Sequence, residues 1–142
     1  MAASVETVIL DAEAADALSS VHHPKHLVAL SFVEGLAQRR QRRPSIKVLV
    51  PVAVRVEAGW DRSSPAAAIV NRVSGARDVS LTGAAADRAA ELRMALDVSV
   101  VDVTVAEAAE SAAQPVVIVT SDVRDMTALA AHVKGDVRVV AI

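Results

Sequence analysis

The chain has 142 residues, 53 % of them hydrophobic, with one Phe, one Trp and no Tyr, so a single ordinary domain over residues 1–142 with a core of Val, Ala and Leu is expected. A net charge of −2 gives no global signal for polyanion binding, and contact with nucleic acid then needs a local basic patch. The absence of cysteine excludes disulfides and thiolate metal centres; with no basic leader in MAASVETVIL and no apolar run of about 18 residues, a cytoplasmic chain that does not enter the membrane is expected.

Residues 5–10, VETVIL, form a β-branched run that ends at Asp11 and reads as a strand. Residues 12–20 are Ala-rich and helical until His23-Pro24 breaks the pattern. Residues 25–40 predict a second helix, with Leu27, Leu30, Val33 and Leu36 at helical spacing; it closes in QRRQRRP, where Pro44 is a stop signal. KVLV at 47–50 is a strand, and residues 53–60 read as a helix carrying Glu57. Ser63-Ser64-Pro65 supplies an N-cap and a first-turn proline for a helix over 66–74, which ends at Gly75. DVSL at 78–81 is a short strand, and Thr82 caps a helix over 84–96. VSVVDVTV alternates as a strand does, but AEAAESAA continues it with strong helix formers, so a helix from about 100 to 113 is predicted, stopped by Pro115. Residues 116–120 form a strand, 123–132 a helix, Gly135 a turn and 137–142 the last strand. Strands that alternate with helices, and are apolar almost throughout, predict a mainly parallel sheet of about five strands covered on both faces.

In such sheets ligands bind beyond the carboxyl ends of the strands. Asp11 follows VIL there, and Asp122 follows VVIVTS. Glu57 in VAVRVEAGW and Asp102 in SVVDVTVA lie among apolar neighbours in predicted helices, where an acid is costly unless charge meets it. A hard divalent cation, Mg²⁺ or Mn²⁺, resolves all four positions, because it prefers oxygen ligands and activates a water for attack on phosphorus.

In order and approximate spacing, Asp11 in VILDA, Glu57 in VPVAVRVEAGW, Asp102 in VVDVTVAEAA and Asp122 in VTSDVRDM resemble the four acidic motifs of PIN-domain ribonucleases. The resemblance spans essentially the whole chain and is strongest to VapC-type toxins. It implies an α/β, three-layer α/β/α PIN-like domain with the acids at one edge of the sheet. It implies Mg²⁺- or Mn²⁺-dependent endonucleolytic cleavage of RNA with Asp11, Glu57, Asp102 and Asp122 as catalytic residues, the metal being held by Asp11, Asp102 and Asp122. It also implies a cognate antitoxin partner and a homodimer. The chain departs from the family pattern at Glu13, where Ser or Thr is frequent, and at Ser99, where relatives often carry a further acid.

Other residues have bland alternatives. Asp122 suits an N-cap and Asp125 the positive end of the following helix; Glu13, Ser121 and Asp125 are candidates for supporting the metal ligands from behind. Arg39, Arg40, Arg42 and Arg43 suit a solvated helix C-terminus, and equally contact with RNA phosphate or an acidic antitoxin segment; Arg124 is a further candidate for such contact. Asp97 reads as a turn residue. His22, His23 and His26 straddle Pro24 without zinc spacing and read as solvated loop residues. Trp60 is a candidate for base stacking, with packing as the commoner use. The principal rival function is a catalytically silent PIN-like binding module, motivated by Glu13 and Ser99. A phosphotransfer domain is a third, disfavoured because the triplet after strand 1 is Asp11-Ala12-Glu13 and not Asp-x-Asp, no suitable Lys follows Thr120-Ser121, and the five scattered glycines form no phosphate loop.

Overall fold

The computed structural model describes residues 4–142. Four strands, β1 (Thr7–Leu10), β2 (Lys47–Leu49), β3 (Val116–Thr120) and β4 (Val137–Ala141), form a sheet in the order β2-β1-β3-β4. Every pairing is parallel, with Val8 opposite Val48 and Val117, and Ile118 opposite Val139. All nine residues of β1 and β3 are buried, so both faces of the central pair are covered by helices and alternation disappears from their sequences. The chain runs from β1 outward to β2, then returns across β1 to β3 and β4. The switch point therefore lies between β1 and β3, with Asp11 N–H bonded to the Val119 carbonyl at 3.2 Å.

Among the described residues, seven α-helices surround the sheet. On the way out lie α1 (Ala12–Ser19) and α2 (His26–Arg42); after β2 come α3 (Val52–Ala58), a 3-10 turn (Pro65–Ala67), α4 (Ala68–Ser74), α5 (Gly83–Ala95) and α6 (Val100–Ser111); α7 (Val123–Ala130) links β3 to β4. Helix starts follow the predicted caps: the side chains of Ser64 and Thr82 accept the N–H groups of Ala66 and Ala85. The ambiguous stretch is helical from Val100, with Ser99 as its cap. Gly75 ends α4 in the left-handed region, as Gly59 ends α3. Gly135 has φ +97°, a left-handed backbone that L side chains rarely adopt, so the turn into β4 favours glycine. The core joins Ile9, Leu10 and Ile118 of the sheet to Leu18, Leu92, Val103, Met126 and Leu129 of the helices. Among the described residues, no helix is long and apolar enough to cross a membrane.

The expected fifth strand does not form. Of DVSL, only Val79 contacts the sheet, through an isolated parallel bridge to Pro51 and a bond from Val52 N–H to its carbonyl at 3.1 Å. Pro51 has no N–H to extend a ladder. Asp78 is instead claimed by two arginines, Arg55 at 2.5 Å and Arg62 at 2.7 Å. Those guanidinium groups also lie over the buried Trp60 ring, 5.6 and 5.5 Å from its centroid, so the indole is enclosed rather than offered to a base.

Candidate functional site

An open cleft of about 470 Å³ lies beyond the carboxyl ends of β1 and β3, where the topology switches. Four chain segments far apart in sequence deliver acids to it: Asp11 after β1, Glu57 near the end of α3, Asp102 in the first turn of α6, and Asp122 between β3 and α7. Every charged side chain lining the cleft is acidic among the described residues, since Glu13, Asp16 and Asp125 complete the set.

Asp11 is 5 % exposed and caps α1, its Oδ1 accepting the Ala14 N–H at 2.9 Å. Burial raises its pKa; the Thr120 hydroxyl and the Ala14 N–H oppose that, while the negative charges of Glu13 and Glu57 add to it. Asp102 is half-buried, and burial is again the main cause that lifts its carboxyl, to about 6, with Asp122, Asp11 and Glu57 raising it further and Ser99 pulling it down. The Ser99 hydroxyl also accepts the Asp102 N–H at 3.0 Å, so the residue standing where an acid was expected holds the start of α6 in place.

Asp122 caps α7, accepting the Asp125 N–H at 3.3 Å, and its own N–H is held by the fully buried Thr120 hydroxyl at 2.9 Å. One carboxylate oxygen from each of Asp102, Asp122 and Asp125 lies within 4.8 Å of the other two. Asp125 therefore joins the tightest group of acids, ahead of its expected supporting place, while Asp11 lines the same cleft outside that trio. Three oxygen donors with unbalanced negative charge, one with its pKa driven upward by burial and then by its acidic neighbours, fit a hard divalent cation. Ser121 lines the cleft next to them.

Glu57, the four arginines, Arg124 and Asp97 stand outside the acidic trio. Glu57 is solvent-exposed near the C-terminus of the seven-residue α3, beside Val56 at 82 % exposure; the apolar run around it is not one buried face, and its place at the cleft rim rather than burial brings it near the other acids. The four arginines stand at the opposite pole of the sheet. Arg43 pairs with Glu6, at the start of β1, whereas Asp11 closes that strand, about 16 Å away at strand rise. Arg40 donates to the Val73 carbonyl at 3.0 Å, and Arg39 and Arg42 face solvent. None of them lines the cleft. Arg124 is exposed on the first turn of α7 without an ion pair among the described residues, and Asp97 is an exposed loop residue outside the cleft.

The histidines differ from one another. His22 is exposed, as expected. His26 is buried on α2, its Nδ1 bonded to the Ala17 carbonyl at 2.7 Å. His23 lies against Glu13 at 2.9 Å and Asp16 at 3.7 Å. Sequence reasoning missed His23, Asp16 and Thr120. Only Thr120, two residues before Asp122 at a strand end, left a local trace; the His23 contact spans a loop whose shape no motif announces.

A chain in the crystal structure of VapBC2 from Rickettsia felis bound to a DNA fragment from their promoter matches 96 % of this chain and 98 % of its own length, with a TM-score of 0.62 and 11 % sequence identity. No protein-family description and no curated protein sequence matches the chain. At that identity the likeness is one of architecture: this chain has the fold of a VapBC2 chain along nearly all of its length.

Proposed function

We propose that this chain, as one domain over residues 1–142, is a PIN-domain ribonuclease of the VapC type, the toxin of a type II toxin–antitoxin pair, which cleaves RNA internally with Mg²⁺ or Mn²⁺. The observation that carries this reading is the meeting of acids from four distant segments in one cleft at the switch point of a parallel sheet. The fold shared with a chain of the VapBC2 complex supports it and motivates a cognate antitoxin as partner. A homodimer and a cytoplasmic site of action belong to the same reading.

Asp102, Asp122 and Asp125 would hold the ion, with Asp11 beside them and Glu57 at the rim. A bound divalent ion supplies an acidified water and neutralises charge on phosphoryl oxygens. The chain's own part is to fix these carboxylates before the substrate arrives. Thr120 anchors the backbone of Asp122, Ser99 anchors that of Asp102, and the Ala14 N–H holds Asp11. Because the protein lines the cleft with negative charge alone, an RNA phosphate is repelled there until cations balance it.

The test is cleavage of single-stranded and structured RNA by purified chain freed of antitoxin. Activity is expected with Mg²⁺ or Mn²⁺, none with EDTA, and a loss of at least about a hundredfold in Asp11→Asn. Wild-type protein inert with both ions would overturn the reading in favour of a catalytically silent binding module. Glu13 and Ser99, in places where the family favours other residues, motivate that second reading.

A further inference from the structure

Glu13 follows Asp11 by two residues, lines the acid cleft, and keeps 43 % of its side chain exposed, so nothing steric prevents it from turning toward a cation there. Its carboxylate is instead engaged by His23 Nε2 at 2.9 Å. The imidazole is the fixed partner of the two: only 12 % of its side chain is exposed, and its Nδ1 accepts the Lys25 N–H at 3.0 Å. The loop that carries it is tied by its own N–H to the Ser20 carbonyl, at 3.1 Å, and by His26 to the Ala17 carbonyl.

That backbone bond decides the tautomer. A main-chain N–H can only donate, so Nδ1 presents its lone pair and the ring proton resides on Nε2, which donates to Glu13. Glu13, Asp16 and His23 have potential ligand atoms within 4.8 Å of one another, which would otherwise suggest a second metal centre. A protonated Nε2 has no lone pair for a metal, and the trio is a hydrogen-bonded clamp.

We infer that His23 is a positioning residue which holds the Glu13 carboxylate at the rim of the cleft and withholds it from the divalent cation. The inference rests on the metal-dependent reading above. A chain with Glu where Ser or Thr is frequent thereby keeps its ion on the Asp102, Asp122 and Asp125 side of the cleft.

Calorimetric titration with Mn²⁺ alone, without RNA, tests this. Freeing Glu13 in His23→Leu adds a charged ligand and is expected to tighten Mn²⁺ binding by about tenfold, since affinity follows the charge count of the ligands. His23→Gln keeps an N–H donor and is expected to bind as wild type does, and the double variant His23→Leu/Glu13→Gln is expected to lose the gain. In wild-type protein ¹⁵N-detected histidine spectra should show Nε2 protonated. Should His23→Leu not fold, Glu13→Gln alone decides: a change below about threefold supports the clamp, and a loss of about tenfold or more makes Glu13 a ligand and overturns it. Mn²⁺ binding that ignores His23→Leu, or a proton found on Nδ1, overturns the clamp while leaving the metal site standing. Wild-type protein that binds no Mn²⁺ overturns the metal reading and the clamp with it.

Discussion

Replacing Asp102 by Asn should make the metal-free protein more stable at neutral pH. In the folded chain the Asp102 carboxyl titrates at about 6, against 3.8 for an unhindered aspartate, chiefly because burial disfavours its charge. The folded state therefore holds this proton more tightly than the unfolded state does. The resulting penalty is absent below about pH 4, grows through the window between the two values, and is complete above about pH 6. The full difference corresponds to about 3 kcal/mol; for a half-buried group reached by solvent, about 1–2 kcal/mol is the reasonable share. Asn keeps the shape and the N–H that Ser99 receives, but carries no charge. Asp102→Asn in EDTA at pH 7.5 is then expected to melt about 3–8 °C above wild type, an advantage shrinking to a third or less by about pH 4.5. Saturating Mn²⁺ should raise the wild-type Tm and leave that of the variant nearly unmoved. The assay is thermal unfolding followed by circular dichroism at the two pH values, with EDTA and with Mn²⁺. A variant no more stable than wild type at pH 7.5, or one whose advantage persists undiminished at pH 4.5, would refute the electrostatic reasoning.

Asp122 carries two roles that substitution can separate. Asp122→Asn retains an oxygen for the α7 cap and should lose RNA cleavage with little change in Tm, whereas Asp122→Ala should lose cleavage and about 1 kcal/mol of stability in urea unfolding. Thr120→Val leaves the part-buried Asp122 N–H without its acceptor; a loss of about 1–2 kcal/mol and faster amide exchange at Asp122 are expected. Gly135→Ala forces a side chain into a positive φ of +97°, and should cost about 1–3 kcal/mol in the same unfolding experiment. Met126→Ala empties a fully buried position between α7 and the sheet and should cost about 2–5 kcal/mol.

The parts of this structure that local chemistry determines were readable from the residues. VIL before Asp11 and VVIV before Thr120 are apolar without interruption because both faces of β1 and β3 are covered, and that same placement puts Asp11 and Asp122 at strand ends where chains turn over the sheet edge. Thr82 and Ser64 announce their helices through their own side chains. Whatever depends on contacts distant in sequence was not readable. DVSL has the composition of a strand, but its neighbour is a proline and its Asp78 serves two arginines, 16 and 23 residues away. Glu57 appears enclosed in a string of valines, yet on a seven-residue helix it shares the exposed side with Val56. Four arginines within five positions cannot say which pole of a sheet they occupy; Arg43 meeting Glu6 settles that in three dimensions. His23 gains its meaning from residues brought alongside by folding, of which a linear motif carries no trace; Asp125 was readable as a support beside Asp122, but its meeting with Asp102 was not.

The enclosure of Trp60 gives the protein a built-in optical reporter. It is the chain's one tryptophan and there is no tyrosine, so ultraviolet emission excited near 295 nm comes from a single, known place. That place is three residues past Glu57, against the two guanidinium groups that Asp78 restrains. A shift in wavelength or intensity when a cation or nucleotide enters the cleft would thus describe the surroundings of Trp60 at the end of α3, with no dye and no labelling.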